Sequence, residues 1–277
     1  MNVTRFFFGL LILSAAVFFL SGCNKKDTTT KYTNVSWASD NALAEGLYGD
    51  TKDWSDKAMS GVKLKSTAFD TVYMGTCVLA TLDLSVLPYK LTIDFGSTDC
   101  KCDDNIYRRG KMFVTFTGDY WTPGTVITYT FDNYFVNDNQ ILGTKTITNK
   151  GVNASNNLYW TIVVAGEIIK ANNGGTIYWN SNTTLEWFYG DTTPTIWWDD
   201  VYHLTGSESG TGADGKTYTV TITSPLSRRL NCKWIESGTM DIQPQDYPLI
   251  TVDFGDGTCD NQATATVAGV SYTITMP

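Results

Sequence analysis

Tryptophan and aspartate side chains are concentrated in one short part of the chain, where they could bind or cleave a sugar. Indole rings can stack on sugar rings, and a pair of carboxylates is the machinery of glycoside hydrolysis. Adjacent residues of a strand point to opposite faces, so a neighbouring pair cannot act together there. The group is therefore a candidate for ligand binding rather than catalysis; it comprises Trp187, Trp197, Trp198, Asp199 and Asp200.

Cys23 follows a segment that has the composition of a secretory signal. Residues 6–20 form an apolar run without a charge, preceded by Arg5. This run is shorter than the roughly 20 residues of a membrane span. The alternatives are an ordinary secretory signal with a chance cysteine, or an uncleaved membrane helix.

The residues before Cys23, Leu20-Ser21-Gly22, resemble the lipobox of bacterial lipoproteins. The resemblance implies that the thiol of Cys23 carries a lipid and that residues 1–22 are a removed signal peptide. Asn24 stands where some bacteria place an aspartate to retain lipoproteins in the inner membrane. We therefore expect anchoring to the outer membrane through Cys23, with the periplasmic or cell-surface side left open.

The other cysteines are expected to form disulfides, because the compartment beyond the inner membrane is oxidising. Opposed residues of an antiparallel hairpin have a constant midpoint. Cys77 and Cys100 centre on the turn at residues 87–89, and Cys232 and Cys259 centre on residues 244–247. The sequence therefore predicts the pairs Cys77–Cys100 and Cys232–Cys259. Cys102 is left over, although it could replace Cys100 in the first pair.

Charge and histidine content exclude several functions. With 20 basic and 28 acidic residues, the chain lacks the cationic surplus that nucleic-acid binding requires. Its single histidine, His203, is expected to be structural. Asp253, Asp256 and Asp260 could chelate calcium, but an Asp/Gly turn is the favoured interpretation. We expect neither a metal nor a cofactor.

The elements that must position these residues are mostly strands. Residues 23–36 are polar and indicate a tether that carries the lipid. The segment 37–62 contains the one predicted helix, over residues 40–59, with Asp40 as its cap. From about residue 69 apolar and polar residues alternate between Asn/Asp/Gly turns, which is typical of antiparallel sheet. The sequence therefore predicts an all-β fold, mainly antiparallel hairpins, forming one domain over 63–277 behind a short N-terminal helix.

Two parts of that domain repeat. Residues 91–96 (LTIDFG) match residues 250–255 (ITVDFG), and the following cysteine and glycine keep the same spacing. On this spacing Gly110 corresponds to Gly269. Residues 77–117 and 232–277 are therefore predicted to be two related three-stranded units.

Together these motifs resemble a family of uncharacterised Bacteroidetes-type cell-envelope lipoproteins. The resemblance implies an all-β body and a lipid anchor, and it implies no catalytic residues. We therefore expect a non-enzymatic envelope protein with a binding or structural role, whose partner is a glycan or another envelope protein. The alternative is a carbohydrate-active protein, either a glycan-binding module or a glycoside hydrolase. The resemblance rests on residues 94–111, 122–137, 176–180, 215–223, 232–239 and 253–263.

Overall fold

A helix followed by a long series of strands makes up the described chain. The computed structural model describes residues 34–61, 69–193 and 197–276. Cys23 and the signal segment lie outside these residues. Over the described ranges there is one α-helix, α1 (Ser36–Gly61), and there are fifteen β-strands. The prediction of an all-β fold with an N-terminal helix is thus confirmed. In the same ranges, no helix has the length and apolar composition that crossing a membrane requires.

The strands form a meander in which each strand pairs antiparallel with the next. Only β4 departs from this path, because it pairs with β5 alone. The strands are β1 (Phe69–Met74), β2 (Val78–Asp83), β3 (Tyr89–Asp94), β4 (Cys100–Lys101), β5 (Tyr107–Phe116), β6 (Val126–Val136), β7 (Asn139–Val152), β8 (Leu158–Ile169), β9 (Thr176–Tyr189), β10 (Val201–Thr211), β11 (Thr217–Arg229), β12 (Ser237–Pro244), β13 (Ile250–Asp256), β14 (Gln262–Val267) and β15 (Val270–Thr275).

Helix α1 packs on the inner face of this sheet. It contacts β1 and β15, which end the strand order, as well as the central strand β9, so the sheet must curve around it. The ring of Tyr48 stacks on Trp179 of β9 with centroids 5.5 Å apart. Gly166 of β8 leaves room for that ring, because a Cβ atom there would overlap it. The core therefore lies between the helix and the inner face of the sheet.

The helix is longer than the sequence pattern predicts. The expected span was 40–59 with Asp40 as the cap, whereas the helix runs over Ser36–Gly61. Asp40 lies inside it and is buried. Its carboxylate accepts hydrogen bonds from Lys170 Nζ and from the backbone N–H of Ala213, both at 2.8 Å. The Asp40 carboxylate therefore binds residues of the sheet instead of capping the helix N-terminus.

The outer face of the sheet meets water, as the threonine pattern predicts. One row of paired residues crosses fourteen neighbouring strands without a buried member. Threonine fits this position because it is β-branched and also wettable. The row is Phe69, Asp83, Lys90, Thr115, Thr128, Thr146, Val163, Asn182, Ser207, Thr221, Asp241, Thr251, Thr266 and Ser271.

The connections between strands alternate between two ends of the sheet. We call one the entry end, because Asn34, the first described residue, donates its backbone N–H to Tyr247 Oη there at 2.9 Å. The other is the aromatic end. Entry-end connections include 75–77, 137–138, 170–175, 212–216 and 245–249; aromatic-end connections include 84–88, 117–125, 153–157, 190–193 with 197–200, and 230–236.

Two cysteine pairs lie at disulfide distance, and they are the pairs that the sequence predicts. The Cα atoms of Cys77 and Cys100 are 5.9 Å apart, and those of Cys232 and Cys259 are 5.7 Å apart. Cys102 is the free cysteine among the described residues and is buried. The first pair lies at the entry end and the second at the aromatic end.

The strand register differs from the one used to predict those pairs. Leu79 pairs with Asp94, so Cys77 does not oppose Cys100 across the β2–β3 hairpin. Cys77 lies instead in the β1–β2 turn, and Cys100 in the short β4 that follows a loop. The midpoint argument still predicts the correct partners. Cys77 precedes β2 and Cys100 follows β3, and likewise Cys232 precedes β12 and Cys259 follows β13, so each pair lies beyond the open end of one hairpin.

The two repeat units agree in their first two strands and in their disulfides, but they diverge at the third strand. Asp94 pairs with β5 at Lys111, whereas Asp253 pairs with β14 at Thr264. Gly269 lies in the added β14–β15 turn. The predicted correspondence of Gly110 and Gly269 is therefore not reproduced by the pairing. The units run in opposite directions within the sheet, which explains why their disulfides lie at opposite ends.

Candidate functional site

The predicted tryptophan–aspartate group lies at the aromatic end of the sheet. Trp187, near the end of β9, is only 8% exposed. Its indole Nε1 donates to Asp200 Oδ1 at 3.2 Å, and its ring stacks on Tyr202 with centroids 6.1 Å apart. Burial raises the pKa of Asp200 above its ordinary value. Trp187 and Asp200 therefore form the supporting layer of this end.

The neighbouring residues are not arranged as the sequence predicts. The prediction placed Trp197 and Trp198 on opposite faces of a strand, but Trp197–Asp199 is a 3-10 helix. The side chain of Trp197 is outside the described part of the structure. Trp198 is 54% exposed. Asp199 Oδ2 accepts a hydrogen bond from Thr193 Oγ1 at 2.8 Å, so Asp199 and Asp200 are bonded to different partners.

An exposed tryptophan from another connection completes the group. Trp121, in the β5–β6 connection, is 50% exposed. Its ring centroid lies 5.5 Å from Trp187, 5.8 Å from Trp160 and 5.1 Å from Tyr120. Sequence reasoning missed it, although adjacent aromatics between Asp and Pro-Gly turn residues are a usable signal. We call Trp121, Trp187, Trp198, Asp199 and Asp200 the aromatic ledge.

Exposed apolar side chains accompany the ledge on neighbouring connections. They lie at or just beyond the aromatic ends of β7, β9 and β11, which are alternate strands of the sheet. Exposed apolar patches often mark interaction sites. The members are Val152, Phe188, Tyr189 and Leu230.

His203 has a structural environment, as expected. Its ring stacks on Phe188 with centroids 3.9 Å apart. Burial lowers the pKa of His203 from its ordinary value, with Glu186 opposing. The histidine therefore contributes packing beside the ledge, on the outer face of β10.

A second polar cluster, missed in the sequence, joins helix α1 to the centre of the sheet. Asn41 Nδ2 donates to Glu208 Oε2 of β10 at 2.8 Å, and Trp179 Nε1 donates to Asn41 Oδ1 at 2.9 Å. Glu45, one helical turn beyond Asn41, lies close enough to Glu208 for each carboxyl to influence the pKa of the other. Two carboxyl groups this close repel each other when both are ionised, which favours a proton on one of them. The sequence does contain one indication of this cluster: Glu208 is an acidic residue at an inward position of β10, between the outward Ser207 and Ser209.

Both carboxyls of this cluster favour their neutral forms. Burial, reinforced by the adjacent Glu208, raises the pKa of Glu45 well above its ordinary value. Burial also raises the pKa of Glu208, although the hydrogen bond from Asn41 opposes this. The two carboxyls lie between helix α1 and β10, whereas a glycosidase holds its carboxyls on either side of a bound sugar.

The pair predicts a pH dependence of stability. The folded chain keeps a proton that the unfolded chain loses above about pH 4.3, so the free energy of unfolding falls as pH rises from there. Glu45→Gln places an amide N–H donor beside Glu208 at every pH. The free energy of unfolding of this variant is therefore expected to fall less between pH 4.5 and 7.5. Lys145, whose pKa burial lowers to about 8, stays charged over most of that range.

Urea titrations at several pH values would measure this effect. Asp53→Asn, an exposed carboxylate on the same helix, is the control and should retain the native slope. An unchanged slope in Glu45→Gln would show that the carboxyls do not share a proton.

The three aspartates that could chelate calcium are used in turns. Each carboxylate accepts a backbone N–H two residues ahead: Asp253 from Gly255, Asp256 from Thr258 and Asp260 from Gln262, at 2.8–3.2 Å. They border a shallow depression of about 190 Å³. This geometry agrees with the turn interpretation.

Comparison of the chain with protein-family models, with curated proteins and with solved structures finds no match. The interpretation of the aromatic ledge and of the buried carboxyl pair therefore rests on their geometry alone.

Proposed function

We propose that the protein is a lipid-anchored, non-enzymatic protein of the bacterial outer membrane with a binding role. The observation that carries the binding role is the placement of exposed aromatic rings. Helix α1 occupies the inner face of the sheet, and the half-exposed Trp121 and Trp198 stand at the end opposite the chain entry. The lipobox at Cys23 supports the anchor.

The carboxyl groups favour binding over catalysis. Asp199 and Asp200 are bonded to Thr193 and Trp187, so each carboxylate has a bonding partner within the fold. Glu45 and Glu208 contact each other within the helix–sheet interface. Neither pair has the arrangement around a bond that an acid and a nucleophile require.

Glycan binding is the second candidate, and the same two tryptophans favour it over glycoside hydrolysis. An exposed indole offers a sugar ring an apolar face, and a neighbouring carboxylate can accept a hydroxyl hydrogen. Another envelope protein is the competing partner, since Val152 and Leu230 add aliphatic surface.

The anchor is tested by replacing Cys23. Cys23→Ser is expected to block signal processing of the lipoprotein type and to release the protein from the membrane fraction, because it removes the thiol proposed to carry the lipid. Fractionation of cells and the mass of the mature N-terminus would measure this. Cys102→Ser, which alters a buried cysteine of the folded body, is the matched control and should stay with the membrane. A Cys23→Ser protein that is processed and still fractionates with membranes would refute the anchor.

A further inference from the structure

The two ends of the sheet differ in their relation to the predicted anchor. The chain enters the fold at the entry end, where Asn34 bonds to Tyr247, only eleven residues after Cys23. The ledge connections lie at the opposite ends of the same strands. Strand β9 links the two ends directly, from Thr176 to Tyr189. Its fourteen residues span about 45 Å at the usual rise per residue.

We infer that the aromatic ledge binds a neutral polysaccharide presented on the side away from the anchoring membrane. This inference rests on the proposed binding role and names its partner. Trp121 offers a ring that Trp160 and Trp187 brace from below, so little side-chain entropy is lost when a sugar stacks on it.

Charge decides the class of polysaccharide. Asp191 is exposed in the connection that follows β9, whereas Asp200 in the same connection is buried and bonded to Trp187. The exposed carboxylate of Asp191 repels phosphate- or carboxylate-bearing polymers, while its oxygens can accept hydrogen bonds from hydroxyl groups. The chain as a whole carries a net charge of −8. A neutral, hydroxyl-rich polymer therefore fits this surface better than an anionic one.

The test uses the full-length lipidated protein in detergent and insoluble cellulose and chitin as probes, with polygalacturonate beads as the anionic counterpart. We expect binding to at least one neutral polymer and none to polygalacturonate. Trp121→Ala and Trp198→Ala should each weaken binding at least about tenfold. Trp121→Phe, which keeps a ring, should retain most of it.

Tyr178→Ala is the matched control. Tyr178 is 51% exposed and lies at the entry end of β9, the strand that carries Trp187. Its loss should leave polysaccharide binding unchanged. Equal thermal midpoints among the variants would separate loss of binding from loss of folding, and Trp198→Ala remains informative if Trp121→Ala unfolds.

Reconstitution into liposomes tests the orientation. If the ledge lies away from the membrane, the liposome-anchored protein should bind as well as the protein in detergent. Loss of binding on reconstitution would overturn the orientation. Failure of the native protein to bind either neutral polymer, or undiminished binding by both Trp121→Ala and Trp198→Ala, would overturn the polysaccharide assignment. The Cys23→Ser fractionation is independent of these outcomes, so the anchor is judged separately.

Discussion

Arg108→Ala is expected to lower the free energy of unfolding by about 3–5 kcal/mol, because it removes one partner of a buried ion pair. The Arg108 side chain is 0% exposed. Its Nη2 lies 2.9 Å from Asp50 Oδ1 of helix α1, and its guanidinium lies 4.8 Å from the ring centre of Trp54. Burial already raises the pKa of Asp50 despite Arg108. Without the arginine, that carboxylate must be buried unpaired or take up a proton.

The neighbouring arginine provides the control. Arg109 pairs with Asp99 and Asp138 near the surface, so Arg109→Ala should cost no more than about 1 kcal/mol. Urea denaturation of both variants at pH 7 would measure the difference. Equal losses for the two positions would contradict the role assigned to Arg108 as the link between β5 and the helix.

Removal of the Cys232–Cys259 disulfide is the second large effect. The paired serine variant is expected to lose about 2–5 kcal/mol, since the bridge closes a loop between residues 27 positions apart. The loss should be local as well as global. Amide exchange should accelerate first at the aromatic end, in residues 230–236 and 257–261, because these connections lie next to the bridge.

The opposite bridge is a built-in comparison. The paired serine variant at Cys77 and Cys100 should loosen the entry end around residues 75–77 instead. Identical exchange patterns in the two variants would show that the bridges do not act locally. A reducing agent should reproduce both patterns together in the native protein.

The sequence predicted what depends on local periodicity. Alternation such as that of Thr217 to Thr223 is fixed by which face is buried, so strand type and the wetted threonine face could be predicted. The cysteine partners could also be predicted, because hairpin proximity tolerates a shifted register. Asp40 could not be placed, since its partners Lys170 and Ala213 are more than a hundred residues away.

The candidate site was predicted only in part. Trp187 and Asp200 are neighbours in the fold, as the local cluster suggested, but Trp121 packs on Trp187 from a position 66 residues earlier. The proximity of Asn41 and Glu45 to Glu208 depends on where the helix crosses the sheet. Such contacts follow from the curvature of the whole sheet. They join residues so far apart in the sequence that no short segment contains both partners.

The position of helix α1 has a consequence for the time course of folding. The helix precedes the described strands in the sequence, yet its partners include Glu208, bonded to Asn41 across 167 positions, and Tyr247, whose ring packs on Trp37. During synthesis the helical segment emerges before the strands, so Trp37 and Tyr48 stay uncovered until the last strands are made. Contacts of such long range form slowly and leave the chain open to aggregation. Glu45 and Glu208 are likewise brought together only when β10 packs on the helix, so both carboxyls stay hydrated until late in folding.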